Sequence, residues 1–248
     1  MSTKDLNTVQ KYYPQANATE KMVNGMLNLI EKDYGLKPHQ LMHADSLCCD
    51  DVNAIQYPAR AHEMLGPFNL GGLDGYPFAG LTGMGAFAHH VPEDGAIVIF
   101  YAPHIGITKD GKIGEINRYG QSNNSSCCGA AQAGLGKLRN DEIKKDEMRE
   151  NDFQQSTIEQ ILWNEKERIL KADIQIKEAT EVIYEAIDKQ ISYLISKTDY
   201  PCNHLFQIGG IFINGDRDMG SFSTFKRFEH HDLKSNIKTD LLEKVSSF

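Results

Sequence analysis

Two kinds of hydrophobic spacing alternate along this chain. Val23, Met26, Leu27 and Ile30 recur at helical intervals behind Asn17-Ala18-Thr19-Glu20, which reads as a capping box, and Gly35 closes the helix. A short strand is expected over Gln40–Leu47, running into Cys48, and a weakly periodic, helical segment from Asn53 to Met64. The stretch Gly71-Gly72-Leu73-Asp74-Gly75-Tyr76-Pro77-Phe78-Ala79-Gly80 marks tight turns or close backbone approach. It has neither a G-x-G-x-x-G pattern nor a Lys-Ser/Thr ending, so it is a weak phosphate cradle.

Leu81–Val91 reads as a helix broken by Pro92-Glu93-Asp94-Gly95. The run Ala96-Ile97-Val98-Ile99-Phe100-Tyr101 is continuously apolar, as in a strand buried on both faces of a parallel sheet, with His104 at its end. A polar loop from Thr108 to Asn124 leads to Cys127–Cys128, and Gly129-Ala130-Ala131-Gln132-Ala133 starts another helix. A second capping box, Ser156-Thr157-Ile158-Glu159, opens a long helical segment at about 156–197. Its stripe of Ile169, Ala172, Ile176, Ala179, Ile183, Ile187, Ile191 and Leu194 packs onto the domain or forms a dimer contact. A late strand, Leu205–Asn214, holds Gly209-Gly210, a sign of a bulge or an edge. Helix-turn-strand order predicts an α/β fold with a mostly parallel central sheet flanked by helices, and no repeat or linker divides residues 1–248 into two domains.

The net charge of −8, with Lys and Arg interleaved among Asp and Glu, offers no basic stripe for phosphates and argues against nucleic acid. No apolar stretch approaches a membrane span, and the first residues lack a secretory core, so a cytoplasmic protein is expected. Four of the five cysteines are adjacent pairs, which favours metal or thiol chemistry over a disulfide framework; Cys202 reads as a structural thiol.

In an open parallel sheet, ligands gather at the carboxyl ends of the strands. Cys48 follows one expected strand, His104 ends another and Cys128 precedes a helix, so all three can meet at one edge. Two thiolates and an imidazole are a zinc ligand set that leaves the fourth position open. A cysteine hydrolase using Cys128 with His104 is an alternative, but no orienting group or oxyanion hole is visible locally. His39, His43 and His62 lack partner patterns, and His230–His231 lies in a charged segment read as solvated.

Cys48-x-Asp50 resembles the start of the Cys-x-Asp-x-Arg motif of β-class carbonic anhydrases, and His104 follows Cys48 by 56 residues, similar to that family's interval. The chain resembles more closely the limiting-CO2-inducible B/C proteins, also called θ-class carbonic anhydrases. The matching stretches are Cys48-Cys49-Asp50-Asp51-Val52-Asn53, Gly71 to Gly80, Ala86-Phe87-Ala88-His89-His90-Val91-Pro92, Pro103-His104-Ile105-Gly106-Ile107 and Ser126-Cys127-Cys128-Gly129-Ala130.

The resemblance implies a β-carbonic-anhydrase-like fold, usually dimeric, and a zinc-dependent hydratase that converts CO2 to bicarbonate through zinc-bound hydroxide. Cys48, His104 and Cys128 would hold Zn2+. Asp50 would orient the metal-bound water or take the fourth position in a resting state. Tyr76, Phe78 and Phe87 would line the CO2 pocket, and His90 would carry the proton, or replace His104 as ligand; His89 would form structural hydrogen bonds. Val52 stands where the β-class motif has Arg, so the partner of Asp50 must come from elsewhere; Arg60 is the first candidate and Arg118 the alternative. The His-to-Cys interval is also wider here, 24 residues. A catalytically silent zinc-binding homologue, acting as a CO2 or bicarbonate sensor or an assembly partner, is the competing reading.

Overall fold

The computed structural model describes residues 3–53 and 59–245. A first helix, α1 (Thr3–Gln10), and the two-residue strand β1 (Asn17–Ala18) precede α2 (Thr19–Tyr34). Strands β2 (Leu41–Ser46) and β3 (Leu65–Asn69) flank two short 3₁₀ turns, Asp51–Asn53 and Ala59–Glu63. Then come α3 (Gly80–Ala88), β4 (Ala96–Tyr101), β5 (His104–Ile107), the small β6 (Glu115–Ile116) and β7 (Ser125–Ser126), and α4 (Gly129–Arg139). Three helices follow, α5 (Phe153–Asn164), α6 (Lys166–Lys171) and α7 (Gln175–Ser196). The chain returns through β8 (His204–Gly215), β9 (Ser221–Asp232), β10 (Ile237–Asp240) and α8 (Leu242–Val245).

The sheet runs β1-β9-β8-β4-β2-β3, with β10 also on β9 and β5 also on β8. β2 pairs in parallel with β3 and β4, and β8 in parallel with β4 and β5; β9 is antiparallel to β8, β1 and β10. Every residue of β4 is buried, as its unbroken apolar run requires. Its two faces feed different cores: Ile97, Ile99 and Tyr101 join α4, α5 and α7, while Ala96, Val98 and Phe100 join α2 and α8. The sheet is thus covered on both sides, and its carboxyl ends remain as the place for a site. Among the described residues, no helix is long and apolar enough to cross a membrane.

Local signals were overridden in several places. Thr19 begins α2 with Ala18 at the cap and no side-chain cap bond, because Asn17 and Ala18 are already paired with Ser223 and Phe222. Ser156 and Glu159 do not open a helix; they lie inside α5. Ser156 Oγ bonds back to the carbonyl of Asp152, and buried Glu159 takes ion pairs from Lys137 and Arg149. The expected 156–197 helical segment is broken into three helices. Ala172 turns extended after α6, which folds against α7 and is pinned by Arg168 to Glu178 and Glu185. The apolar stripe from Ile176 to Leu194 faces the core of this same chain. The helix expected over Asn53–Met64 is realised only as the two 3₁₀ turns, and residues 54–58 lie outside the described set.

Gly209-Gly210 marks a bulge at an interior strand, not an edge: Gly209 pairs with Arg227 and Gly210 with Phe225, so the extra residue sits on β9. A Cβ at Gly209 would stand 2.3 Å from the Tyr101 ring. His230 and His231, expected in solvent, are buried on β9, and His43 is buried on β2. Burial holds both His43 and His230 down to about 4, so each is neutral at pH 7.

Candidate metal centre

Parallel register brings the site together. Ser46 of β2 pairs with Tyr101 of β4, so both strands end level, and Cys48 follows two residues later. His104 does not end β4. After Ala102-Pro103 the chain resumes as β5 along the same neighbour: Tyr101 pairs with Gly209 and His104 with Phe212 of β8. Cys128 is the residue before the first turn of α4. The donor atoms of Cys48, His104 and Cys128 all lie within 4.8 Å of one another, and all three residues are buried. Zinc bond lengths of about 2.0–2.3 Å place ligand atoms roughly 3.5–4 Å apart around one tetrahedral ion, so the cluster fits with sub-ångström adjustment.

The Gly-rich stretch is the near wall of this centre. A Cβ at Gly71 would meet the Leu47 carbonyl oxygen at 2.4 Å, and one at Gly75 would meet the Ala102 carbonyl oxygen at 2.2 Å. Glycine is therefore required for the stretch to lie against both strand ends. It delivers Asp74, fully buried at φ +52°, whose backbone N–H donates to Cys48 Sγ at 3.1 Å and whose Oδ1 accepts from the His104 backbone N–H at 3.3 Å. Burial pushes the Asp74 carboxyl up to about 6.

On the far side of the imidazole, His104 Nδ1 donates to Asn214 Oδ1 at 2.8 Å, and Cys127 Sγ lies 3.6 Å from the same oxygen. Buried His104 Nε2 has no hydrogen-bond partner, and two thiols stand beside the ring. An orphaned, buried imidazole nitrogen among sulfurs is what a metal-ligand site leaves when only protein atoms are counted. The protonation chemistry agrees. A hydrogen bond from Cys128, working against burial, holds the Cys48 thiol down to about 4, while the same bond and burial push Cys128 well up. Burial would lower His104, but Cys127 and Cys48 outweigh it and hold the imidazole well above its usual range. The three groups share protons as a unit that a cation would displace.

Asp50 lies beside this cluster. Arg118 donates to it through two nitrogens, 2.8 Å to Oδ1 and 2.7 Å to Oδ2, and also reaches Asp51 and Ser125 Oγ. Burial alone would raise the Asp50 carboxyl; the Arg118 fork, together with Asp51, the Val52 N–H and the charge of His104, outweighs it and brings the carboxyl to about 2. Arg60 is not the partner of Asp50: it bonds Asn28 and Glu31 of α2. His90 is exposed beyond α3, its ring 5.9 Å from Phe68, and stands outside the cluster, as does exposed His89. Phe87 is sealed in the core against Phe68, while the Tyr76 and Phe78 rings meet at a tilt, centroids 4.9 Å apart, with Phe78 against Phe153. A cavity of about 310 Å³ reaches Asn214, with Val52, Ile116, Arg118 and Gly215 in its walls.

Reading along the chain missed Asn214 and Asp74. Asn214-Gly215 ending an apolar strand reads as a hairpin turn, and Asp74 among glycines reads as a turn residue. Neither local signal distinguishes a turn from a hydrogen bond to a residue far away in sequence.

Comparison with curated proteins returned no match. Among solved structures, the chain is similar to PtLCIB4, a homolog of the limiting CO2-inducible protein LCIB, at 27% identity and TM-score 0.82, covering 95% of this chain and 98% of that one. LCIB itself shares the fold at 22% identity and TM-score 0.72, covering 93% of this chain and 95% of that one. The family model described as limiting CO2-inducible proteins B/C beta carbonic anhydrases matches residues 17–232. With its sheet, its strand-end cluster and that match in agreement, the chain belongs to the limiting CO2-inducible B/C family of β-carbonic anhydrases.

Proposed function

We propose that this protein is a zinc-dependent carbonic anhydrase, catalysing the reversible hydration of CO2 to bicarbonate. The observation that carries the reading is the buried Cys48–His104–Cys128 cluster, its donor atoms within 4.8 Å and the imidazole Nε2 unpartnered. Zinc held by these three residues would supply a Lewis acid that lowers the pKa of bound water towards ~7.

The chain's own residues do the rest. Asp50, kept ionised by Arg118, is a fixed acceptor at neutral pH; a carboxylate near 2 cannot carry protons at pH 7, so its role is orientation. Asp74 holds the Cys48 sulfur and the His104 backbone in place. The cavity between Val52, Ile116 and Arg118 gives a small substrate a path to this end of the sheet. Exposed His90 is assigned no step. Val52, standing where the β-class motif has Arg, favours the silent-homologue reading slightly; the bidentate pair of Arg118 with Asp50 supports the catalytic one. A homodimer is part of the proposal and is checked by light scattering.

The test is stopped-flow CO2 hydration by the zinc-loaded protein, with Cys48→Ala as control. Catalysis that disappears in the variant supports the assignment. Stoichiometric zinc without catalysis leaves a sensor or scaffold, and a protein that takes up no zinc sinks the metal reading.

A further inference from the structure

The imidazole of His104 has two nitrogens, and only one can face the two sulfurs. Which one does so depends on what holds the other. The amide of Asn214 is oriented by its own donors: Nδ2 bonds the Val52 carbonyl at 3.0 Å and Asn53 Oδ1 at 3.3 Å. Both acceptors lie in the loop that follows Cys48, and the Val52 carbonyl can only accept, so the amide cannot turn over without setting its oxygen against that oxygen. Its Oδ1 is thereby aimed at His104 Nδ1, 2.8 Å away. A carbonyl oxygen accepts only, so Nδ1 must carry the proton. Cys127 stands against the same oxygen and the same nitrogen, at 3.6 and 3.5 Å. This places a competing thiol on the Nδ1 side of the ring, with the unpartnered Nε2 left for Cys48 and Cys128.

We propose that Asn214 is a positioning residue for the metal centre: it fixes the His104 tautomer so that Nε2 is the ligand nitrogen, and keeps Cys127 out of the ligand set. The inference rests on the metal reading above and deepens it. It also assigns different work to the two members of the second cysteine doublet, Cys128 to the ion and Cys127 to the amide behind the histidine. Asn214 lies on β8, which pairs with both β5 and β9, so its position comes from the sheet interior and not from a mobile loop.

The experiment is zinc affinity by chelator competition, together with long-range ¹H–¹⁵N NMR of the His104 ring in the zinc-loaded wild-type protein, Asn214→Ala and Asn214→Asp. In the wild type, Nδ1 is expected to carry a slowly exchanging proton and Nε2 the metal-induced shift. Asn214→Ala should weaken zinc roughly 10- to 100-fold, the usual cost of losing a partner behind a ligating histidine, and should speed exchange of the Nδ1 proton. Asn214→Asp keeps an acceptor for the Nδ1 proton but sets its second oxygen against the Val52 carbonyl, so it is expected to slow exchange of that proton relative to Asn214→Ala without restoring full zinc affinity.

A metal shift on Nδ1 in the wild type overturns the inference, and this reading does not depend on either variant folding. So does an Asn214→Ala protein with wild-type affinity and unchanged proton exchange, or an Asn214→Asp protein whose Nδ1 proton exchanges as fast as in Asn214→Ala. A wild-type chain that binds no zinc is a different result: it sinks the metal reading and leaves the ring free to be assigned by the same spectra without metal.

Discussion

The two cysteine doublets look alike in sequence and are used differently in space. In the first, Cys48 is buried in the cluster and Cys49 is exposed. In the second, Cys127 and Cys128 are both buried, one behind the histidine and one among the ligand atoms. Cys48–Cys49 follows β2 out of the sheet, so one face of the chain meets protein and the other meets solvent. Cys127–Cys128 lies between β7 and α4, with Gly106 pressed against Cys127: a Cβ on that glycine would meet the Cys127 Cβ at 2.8 Å. A repeated dipeptide thus does not imply a repeated role. What decides is how many sides of the chain are covered.

The sharpest way to break this comparison is to remove one sulfur at a time. Cys48→Ala and Cys128→Ala should each lose stoichiometric zinc, measured by elemental analysis, and with it CO2 hydration. If Cys127→Ala loses zinc as completely as Cys128→Ala, the division of labour in the second doublet is wrong.

Arg118 sharpens the comparison, because it ties the two arms together, from Asp50 and Asp51 after the first doublet to Ser125 before the second. Arg118→Ala should lower hydration roughly 10- to 100-fold with zinc still bound. It should also cost about 1–3 kcal/mol of stability, read by denaturant titration, because a half-buried carboxylate loses a charge-assisted partner. Arg60→Ala, at the α2 contact, should leave hydration unchanged.

The same pair makes a pH test. The Asp50 carboxyl is lowered from 3.8 to about 2 in the folded protein, so the unfolded chain binds its proton first as pH falls. Its stabilising contribution is therefore present above about pH 4 and fades between pH 4 and 2. The stability gap between wild type and Arg118→Ala should hold from pH 7 to 4 and shrink below; a gap that narrows already between pH 7 and 5 contradicts the assignment.

The smallest expected effect is at exposed Cys49, where Cys49→Ala should change stability by less than about 0.5 kcal/mol and leave zinc stoichiometry intact. A loss of metal there would mean that the two residues of the first doublet exchange places.

Much of the frame was legible in the chain. The β4 run, the α2 periodicity, the helix after Cys128 and the bulge at Gly209-Gly210 are each local patterns, and they survived because burial and spacing act over a few residues. Cys48, His104 and Cys128 could be nominated because each sits beside such a pattern. Charged neighbours in sequence suggest solvent for His230 and His231, whereas this part of β9 is flanked by β8 and β10, and His230 packs on Tyr34 and Phe206.

Sequence alone determined which segments are apolar enough to be covered, where glycine is needed, and which residue types can hold a metal. Only the tertiary structure decided the pairings: Arg118 and not Arg60 on Asp50, Asn214 and Cys127 behind His104, Asp74 against Cys48. Hydrophobic patterning is additive and local, so it can be read along the chain. A hydrogen bond between residues 110 positions apart, such as His104 to Asn214, exists only once strand register has placed both groups within 3 Å, and nothing near either residue encodes it.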